Sequence, residues 1–109
     1  FKKKKEYYIE FEGKDITYET AKKIIKKEKE CYLIDVRSKQ EYEEEHLNEA
    51  INICLYNLER SIEKEIKNKQ AIIILYCASG IRSKKGKEIL ENMGYKNVYS
   101  LKHGISGIN

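Results

Sequence analysis

Hydrophobic and polar positions follow two periods along this chain, and together they are typical of an α/β domain. Nearly unbroken apolar runs at 31–36 and 71–76 predict strands that are buried on both faces. Apolar residues three and four positions apart predict an amphipathic helix over 55–66. Strands that alternate with helices in this way predict a mostly parallel sheet between two layers of helices.

Individual residues indicate where several elements begin or end. Thr17 is a favourable N-cap for a helix. Gly94 suits the left-handed C-cap of the last helix, and Gly13 and Gly104 are expected in turns. The pattern as a whole predicts a three-layer α/β/α domain of four to five strands, with strands at 7–11, 31–36, 50–53, 71–76 and 97–101 and helices after Thr17, at 38–45, at 55–66 and from about Ser83 to Gly94.

Length and composition predict one compact domain over 1–109. With 40% hydrophobic and 37% charged residues, the chain has enough apolar material for a core and a strongly charged surface. The lysine run at 2–5 is compatible with an arm that binds nucleic acid or anionic lipid, but we expect residues 1–6 to form a frayed basic tail. No basic stripe interleaved with aromatic residues follows, so we expect no nucleic-acid partner.

Cysteine usage and hydropathy constrain the compartment. Cys31, Cys54 and Cys77 are odd in number and form no C-x-x-C pair, which argues against a disulfide framework or a structural zinc site. No apolar stretch is long enough to span a bilayer, so no membrane partner is expected. We expect a cytoplasmic protein; because the chain starts at Phe1 rather than Met, a secreted or periplasmic mature form is the alternative.

The junction after the apolar run 71–76 carries the candidate chemistry. Cys77 ends the run, a loop of small residues follows, and Arg82 stands where a helix begins. Ligands of parallel sheets bind beyond the carboxyl ends of the strands. Backbone amides and a helix N-terminus at this place would hold an anion and favour a thiolate over a thiol. The sequence therefore predicts a nucleophilic cysteine in an anion-binding pocket.

The segment 77–83 resembles the active-site loop of single-domain rhodaneses, a family of sulfurtransferases. The segment 33–37 resembles the amino-terminal signature of the family, and the order of the remaining pieces agrees from Thr17 to Ile105. These remaining pieces are 41–42, 46–47, 50–53, 94–99 and 104–105.

The resemblance implies a catalytic persulfide on Cys77, formed from a small anionic donor such as thiosulfate and consumed by cyanide or a thiol, with no metal and no organic cofactor. Arg82 is suited to a dianionic donor because its planar fork matches oxyanions. Asp35 and Arg37 are expected to support the site structurally. The residues expected to bind the substrate are Ala78, Ser79, Gly80, Ile81, Arg82 and Ser83.

Several alternatives remain open from the sequence. The first alternative is a persulfide carrier that is loaded by a sulfur-relay protein, and the second is a recognition module without catalysis. Phosphatases of the cell-cycle dual-specificity type have five residues between cysteine and arginine, whereas four separate Cys77 from Arg82. The smaller loop favours sulfur chemistry. Cys54 follows a predicted strand and is either a resolving thiol or a simple substitution.

Overall fold

The computed structural model describes residues 15–108, which form an α/β/α domain around one five-stranded parallel sheet. The strands are β1 (Asp15–Ile16), β2 (Cys31–Asp35), β3 (Ile51–Asn52), β4 (Ile72–Tyr76) and β5 (Asn97–Leu101). They lie in the order β1-β5-β4-β2-β3. The helices are α1 (Tyr18–Lys27), α2 (Lys39–Glu44), α3 (Leu55–Glu65) and α4 (Ile81–Asn92), followed by a 3-10 turn at Ile105–Gly107. The predicted fold class is confirmed.

The central strand β4 contributes side chains to two hydrophobic cores. Ile73 belongs to a buried cluster with Leu58 of α3 and Leu90 of α4. Its neighbour Ile74 belongs to the cluster on the opposite face of the sheet, with Ile24 of α1. Because successive side chains of a strand point to opposite faces, both faces of β4 require apolar residues. This double burial explains the continuous apolar run in the sequence.

The register of the sheet brings the ends of three strands to one edge. In the parallel ladders, Asp35 of β2 pairs with Tyr76 of β4, and Leu75 pairs with Ser100 of β5. Cys77 comes directly after β4, so it lies at the carboxyl edge where the β4–α4 loop begins. The fold thus places the candidate nucleophile where parallel sheets bind their ligands.

The amino-terminal part of the sheet differs from expectation. The predicted frayed tail at 1–6, the strand at 7–11 and the turn at Gly13 lie outside the described residues. The first described strand, β1, was not predicted, because two residues with one buried side chain, that of Ile16, are too short to show a period. No helix within 15–108 has the length and apolar character needed to cross a membrane.

Two further elements differ in their bounds from the prediction. The strand predicted at 50–53 is reduced to Ile51–Asn52. Helix α4 begins at Ile81, two residues before the expected start near Ser83, because Gly80 adopts the left-handed conformation (φ 107°) and serves as its N-cap. This earlier start matters for the site, because it makes Ser83 a residue of the first helical turn.

Candidate active site

The β4–α4 loop turns its amides onto the sulfur of Cys77. Cys77 Sγ accepts a hydrogen bond from the amide of Gly80 at 3.1 Å and another from the amide of Ser83 at 3.3 Å. The left-handed φ of Gly80 allows the chain to turn this sharply, a conformation that side chains with a β-carbon disfavour. Both residues belong to the predicted segment 78–83, and the amide of Ser79 in the same segment also donates to the sulfur.

The sulfur also caps helix α4. Ser83 is the third residue of this helix, and the amide at that position ordinarily bonds to the side chain of the N-cap residue. Gly80 has no side chain to offer, and Cys77 Sγ accepts this hydrogen bond instead. The positive end of the helix dipole therefore faces the sulfur, which favours its negatively charged form.

Two buried hydroxyl groups lie behind the sulfur. Ser83 Oγ is 3.6 Å from Cys77 Sγ and 2.7 Å from Ser100 Oγ of β5, and both serines are fully buried. Ser83 Oγ also lies 3.2 Å from the carbonyl oxygen of Gly80. Sequence reasoning placed Ser83 in the site but missed Ser100. The one signal in the sequence that could have indicated Ser100 was a polar residue between apolar residues near the end of a strand.

Hydrogen bonds outweigh burial in setting the ionisation of Cys77. The residue is only 1% exposed, and this burial alone would raise the thiol pKa. Donation from the Ser83 hydroxyl and from the amides of Ser83, Gly80 and Ser79 lowers the pKa of Cys77 below its ordinary value. Cys31 shows the contrast, because burial and the nearby Glu28 carboxylate raise its pKa to about 12. Of these two cysteines, Cys77 is the one prepared to react as a thiolate.

The carboxyl-terminal segment supports the loop from outside. The carbonyl oxygen of Cys77 accepts from the amide of Ile105 at 2.9 Å, and that of Ala78 accepts from the amide of Ser106 at 3.0 Å. These bonds occupy the carbonyl groups of the loop. The neighbouring amides remain available to the sulfur.

Arg82 is already paired. Its Nη1 and Nη2 atoms donate to Oε1 and Oε2 of Glu41 at 2.9 and 3.1 Å, and both side chains are partly exposed. Oε1 of Glu41 also accepts from the amide of Ser38, as part of a capping box at the start of α2. The Arg82 guanidinium and the Ser38 amide lower the pKa of Glu41 to about 2. The predicted donor-binding arginine thus has a fixed carboxylate partner.

The other predicted loop residues differ in exposure. Ala78 is half-buried and Ser79 is exposed. Ile81 is the first residue of α4, and 78% of its surface is exposed, so its side chain lies mainly in solvent.

Asp35 and Arg37 form a buried ion pair next to the loop. Arg37 donates from Nε to Asp35 Oδ1 at 3.0 Å and from Nη2 to Asp35 Oδ2 at 2.8 Å. Its Nη2 also donates to the carbonyl oxygen of Glu45 beyond α2. The side-chain Nδ2 atom of Asn52 donates to the backbone carbonyls of both Asp35 and Arg37. Arg37 therefore joins β2 to the segment after α2, and Asn52 joins β2 to β3.

Cys54 occupies the N-cap position of α3, where its half-buried sulfur accepts from Asn57 Nδ2 at 3.5 Å. A resolving role for it stays a prediction. Within the described range 15–108, His, Cys, Asp and Glu side chains form no group of three or more suited to a metal ion.

A cysteine held by loop amides at the carboxyl edge of a parallel sheet defines the class of protein: an α/β protein whose loop favours the thiolate form of that cysteine. The sequence matches the family model of the rhodanese-like domain over residues 17–109, and the chain therefore belongs to the rhodanese-like family.

Relatives and solved structures agree with this membership. The chain is 35% identical over 88 residues to thiosulfate sulfurtransferase GlpE of Coxiella burnetii, covering 81% of this chain and 79% of that protein. It is 40% identical over 65 residues to thiosulfate sulfurtransferase PspE of Escherichia coli, covering 60% and 62%. A solved rhodanese with anions from E. coli superposes with a TM-score of 0.66 at 36% identity, covering 72% of this chain and 91% of that one. These similarities support the assignment of this chain as a rhodanese sulfurtransferase.

A second group of relatives is longer. The chain is 34% identical over 97 residues to a tRNA uridine(34) hydroxylase of Buchnera aphidicola. The aligned region covers 82% of this chain but only 30% of the hydroxylase. The shared region is therefore a domain-sized part of the hydroxylase.

Proposed function

We propose that this protein transfers a sulfane sulfur from thiosulfate or a persulfide donor to cyanide or a thiol, through a persulfide on Cys77. The observation that carries this proposal is the convergence of the Gly80 and Ser83 amides on Cys77 Sγ. The names of the GlpE and PspE relatives support thiosulfate as a donor.

In the first half-reaction, the Cys77 thiolate attacks the outer sulfur of thiosulfate. A new S–S bond forms at Sγ, the S–S bond of thiosulfate breaks, and sulfite leaves with the bonding electron pair. The transferred sulfur keeps the negative charge that it carried in thiosulfate, and the charge of the thiolate leaves with the sulfite dianion. No proton needs to move, so a side-chain base is not required and a lowered thiol pKa is sufficient.

In the second half-reaction, cyanide or a thiolate attacks the terminal sulfur of the persulfide. The Sγ–S bond breaks, its electron pair returns to Cys77, and thiocyanate or a new persulfide leaves. The donors that stabilise the thiolate also stabilise the returning charge at Sγ, by the logic of an oxyanion hole.

The size of the loop favours a small transferred group. Cys77 is 1% exposed, so an incoming donor has to present a narrow reactive end to Sγ. A single sulfane sulfur meets this requirement better than a tetrahedral phosphoryl group. Four residues between Cys77 and Arg82 argue in the same direction.

Intact-mass spectrometry after treatment with thiosulfate tests the proposal. We expect a gain of one sulfur atom in the wild type and in Cys54→Ser, and no gain in Cys77→Ser. Cys54→Ser is the matched control, because it removes another cysteine sulfur from a helix N-cap position. A sulfur gain that survives in Cys77→Ser would contradict the proposal.

Arg82→Ala tests the part of the donor site outside the loop backbone. We expect it to weaken reaction with thiosulfate more than reaction with a persulfide donor of no net charge, because the guanidinium favours anions. Equal losses with the two donors would exclude a role for Arg82 in binding the anionic donor.

Turnover distinguishes an enzyme from a carrier with the same persulfide. Sustained thiocyanate formation from thiosulfate and cyanide supports the enzyme. Loading only by a partner desulfurase, without such turnover, supports a relay domain.

A further inference from the structure

The pairing of Arg82 with Glu41 bears on which donors the site accepts. Arg82 is the cationic side chain of the active-site loop, but both of its terminal nitrogens donate to the Glu41 carboxylate. An anion that seeks the same fork of donors has to compete with this bidentate contact. The loop therefore presents its arginine in a largely neutralised state.

Glu41 competes with an incoming anion for Arg82, and its carboxylate is difficult to displace. Its Oε1 atom also accepts from the amide of Ser38 at 3.0 Å, while the Ser38 hydroxyl accepts from the amide of Glu41 at 3.1 Å. This reciprocal capping box fixes the carboxylate at the first turn of α2. Moving Glu41 away from Arg82 would disturb the start of that helix. The carboxylate is thus positioned by the fold and is not a freely moving surface charge.

The fixed carboxylate affects donors according to their charge. Thiosulfate carries two negative charges, and a carboxylate beside its binding arginine repels it as well as occupying the arginine. A persulfide of a small thiol presents one negative charge at the reactive end, and a neighbouring ammonium group can balance it. Such a donor needs only the loop amides and gains little from a free guanidinium.

We propose, building on the sulfur transfer proposed above, that Glu41 is a specificity-determining residue that disfavours dianionic donors and makes a thiol persulfide of little net charge the preferred sulfur source. The donor class follows from the chemistry of the Glu41–Arg82 pair. Cys77 attacks the outer sulfur of R–S–S⁻, the old S–S bond breaks, and R–S⁻ leaves, so that charge and atoms balance as they do with thiosulfate.

Single-turnover loading of Cys77, followed by intact mass, tests this with two donors: thiosulfate and the persulfide of cysteamine. In Glu41→Gln, we expect the thiosulfate concentration for half-maximal loading rate to fall by about threefold to fivefold, which corresponds to the upper part of the range for a partly exposed ion pair. Loading by cysteamine persulfide should change by less than about twofold on the same scale. Glutamine retains the capping-box contact, so α2 should remain folded.

Glu43→Gln is the matched control. Glu43 lies on the same helix and pairs with Lys39 at 3.9 Å on an exposed surface. It removes the same charge without touching Arg82, so donor preference should stay that of the wild type. A gain in thiosulfate loading equal to that of Glu41→Gln would overturn the proposal in favour of a general charge effect.

A double variant separates the route through Arg82 from repulsion alone. In Glu41→Gln combined with Arg82→Ala, most of the gain in thiosulfate loading should disappear, because the freed guanidinium is missing. Glu41→Ala provides a second removal of the carboxylate if the glutamine variant is poorly folded.

The outcomes also separate this proposal from the proposed function. Wild-type protein that gains sulfur on Cys77, together with a Glu41→Gln variant of unchanged donor preference, overturns the role of Glu41 alone. A wild type that gains sulfur from neither donor overturns the sulfur transfer, and the role of Glu41 falls with it.

Discussion

The α-carbon of Gly104 lies against the carbonyl group of Cys77. A β-carbon added at Gly104 would overlap the Cys77 oxygen and stand 2.6 Å from the carbonyl carbon of Ala78. The residue also has a positive φ of 60°, which L side chains rarely adopt. At Gly104 the carboxyl-terminal turn and the active-site loop are therefore in close backbone contact, and this contact permits the bonds from Ile105 and Ser106 to the loop carbonyls.

Gly104→Ala should displace the active-site loop. We expect loss of at least about tenfold in sulfur-transfer rate, since small displacements of reacting groups cost this much or more. Gly94→Ala is the control: Gly94 has a comparable φ of 98°, but an added β-carbon meets nothing within 4 Å. It should cost about 1 kcal/mol of stability and leave the rate per folded molecule unchanged. Equal rate losses in the two variants would mean that backbone strain, and not contact with the loop, is responsible.

Ser83→Ala should raise the pKa of Cys77. The hydroxyl donates to the thiolate, so its removal takes away one of the contributions that lower the pKa, and the thiolate becomes scarcer at neutral pH. Alkylation of Cys77 at pH 7 should slow by roughly threefold to tenfold, the equivalent of about 0.7–1.4 kcal/mol. The measurement is the pH dependence of the alkylation rate, whose midpoint should move upward.

Ser79→Ala is the matched control for this measurement. Its exposed side chain lies in the same loop, and the substitution keeps the Ser79 amide that helps to lower the pKa. The alkylation profile should therefore match the wild type. An unchanged midpoint in Ser83→Ala would show that the amides alone set the pKa.

Ser100→Ala tests the hydroxyl behind Ser83. When Ser100 donates to Ser83 Oγ, the single proton of Ser83 is directed toward the sulfur or the Gly80 carbonyl. Its loss should slow alkylation of Cys77 at pH 7 by about twofold to threefold, less than the loss of Ser83. In the Ser83→Ala background, Ser100→Ala should have no further effect on the rate. Independent, additive effects would contradict a hydrogen-bonded chain.

Acid should weaken the contribution of Glu41 to folding. Its pKa is lowered from 4.5 to about 2 in the folded protein, first by Arg82 and then by Ser38. A carboxyl group whose pKa is lower in the folded protein stabilises the fold at pH values above its pKa in the unfolded chain. For Glu41, this contribution is lost as the pH falls from about 4.5 toward 2. Denaturant unfolding at stepped pH should therefore show Glu41→Gln and the wild type converging over this window. Arg82→Ala should converge likewise, and a constant difference between wild type and variants would contradict the assignment.

Local patterns in the sequence were sufficient for most of the scaffold. The double burial of β4 produced the apolar run that predicted it, and the helix after the loop was evident from its spacing. Thr17 caps α1 as predicted, with its hydroxyl accepting from the amide of Thr20. These features depend on residues close together in the chain. The two-residue strand β1 depends instead on pairing with β5, which leaves little local trace.

The site was predictable only in its contiguous part. The loop from Cys77 to Ser83 forms one segment, so sequence reasoning found its residues and the cradle they could form. Ser100 and Glu41 reach that loop from 17 and 41 positions away through the topology of the fold. Neither residue type in isolation indicates such a contact.

Because Cys77 Sγ occupies the place of an N-cap side chain for α4, the nucleophile also stabilises the start of this helix. A chain that exchanged this cysteine for an aliphatic residue would lose reactivity and an anchor of its longest described helix together. A substitution that removes the reactivity therefore also reduces the stability of the fold, unless serine or another hydrogen-bond acceptor replaces the sulfur as the partner of the Ser83 amide.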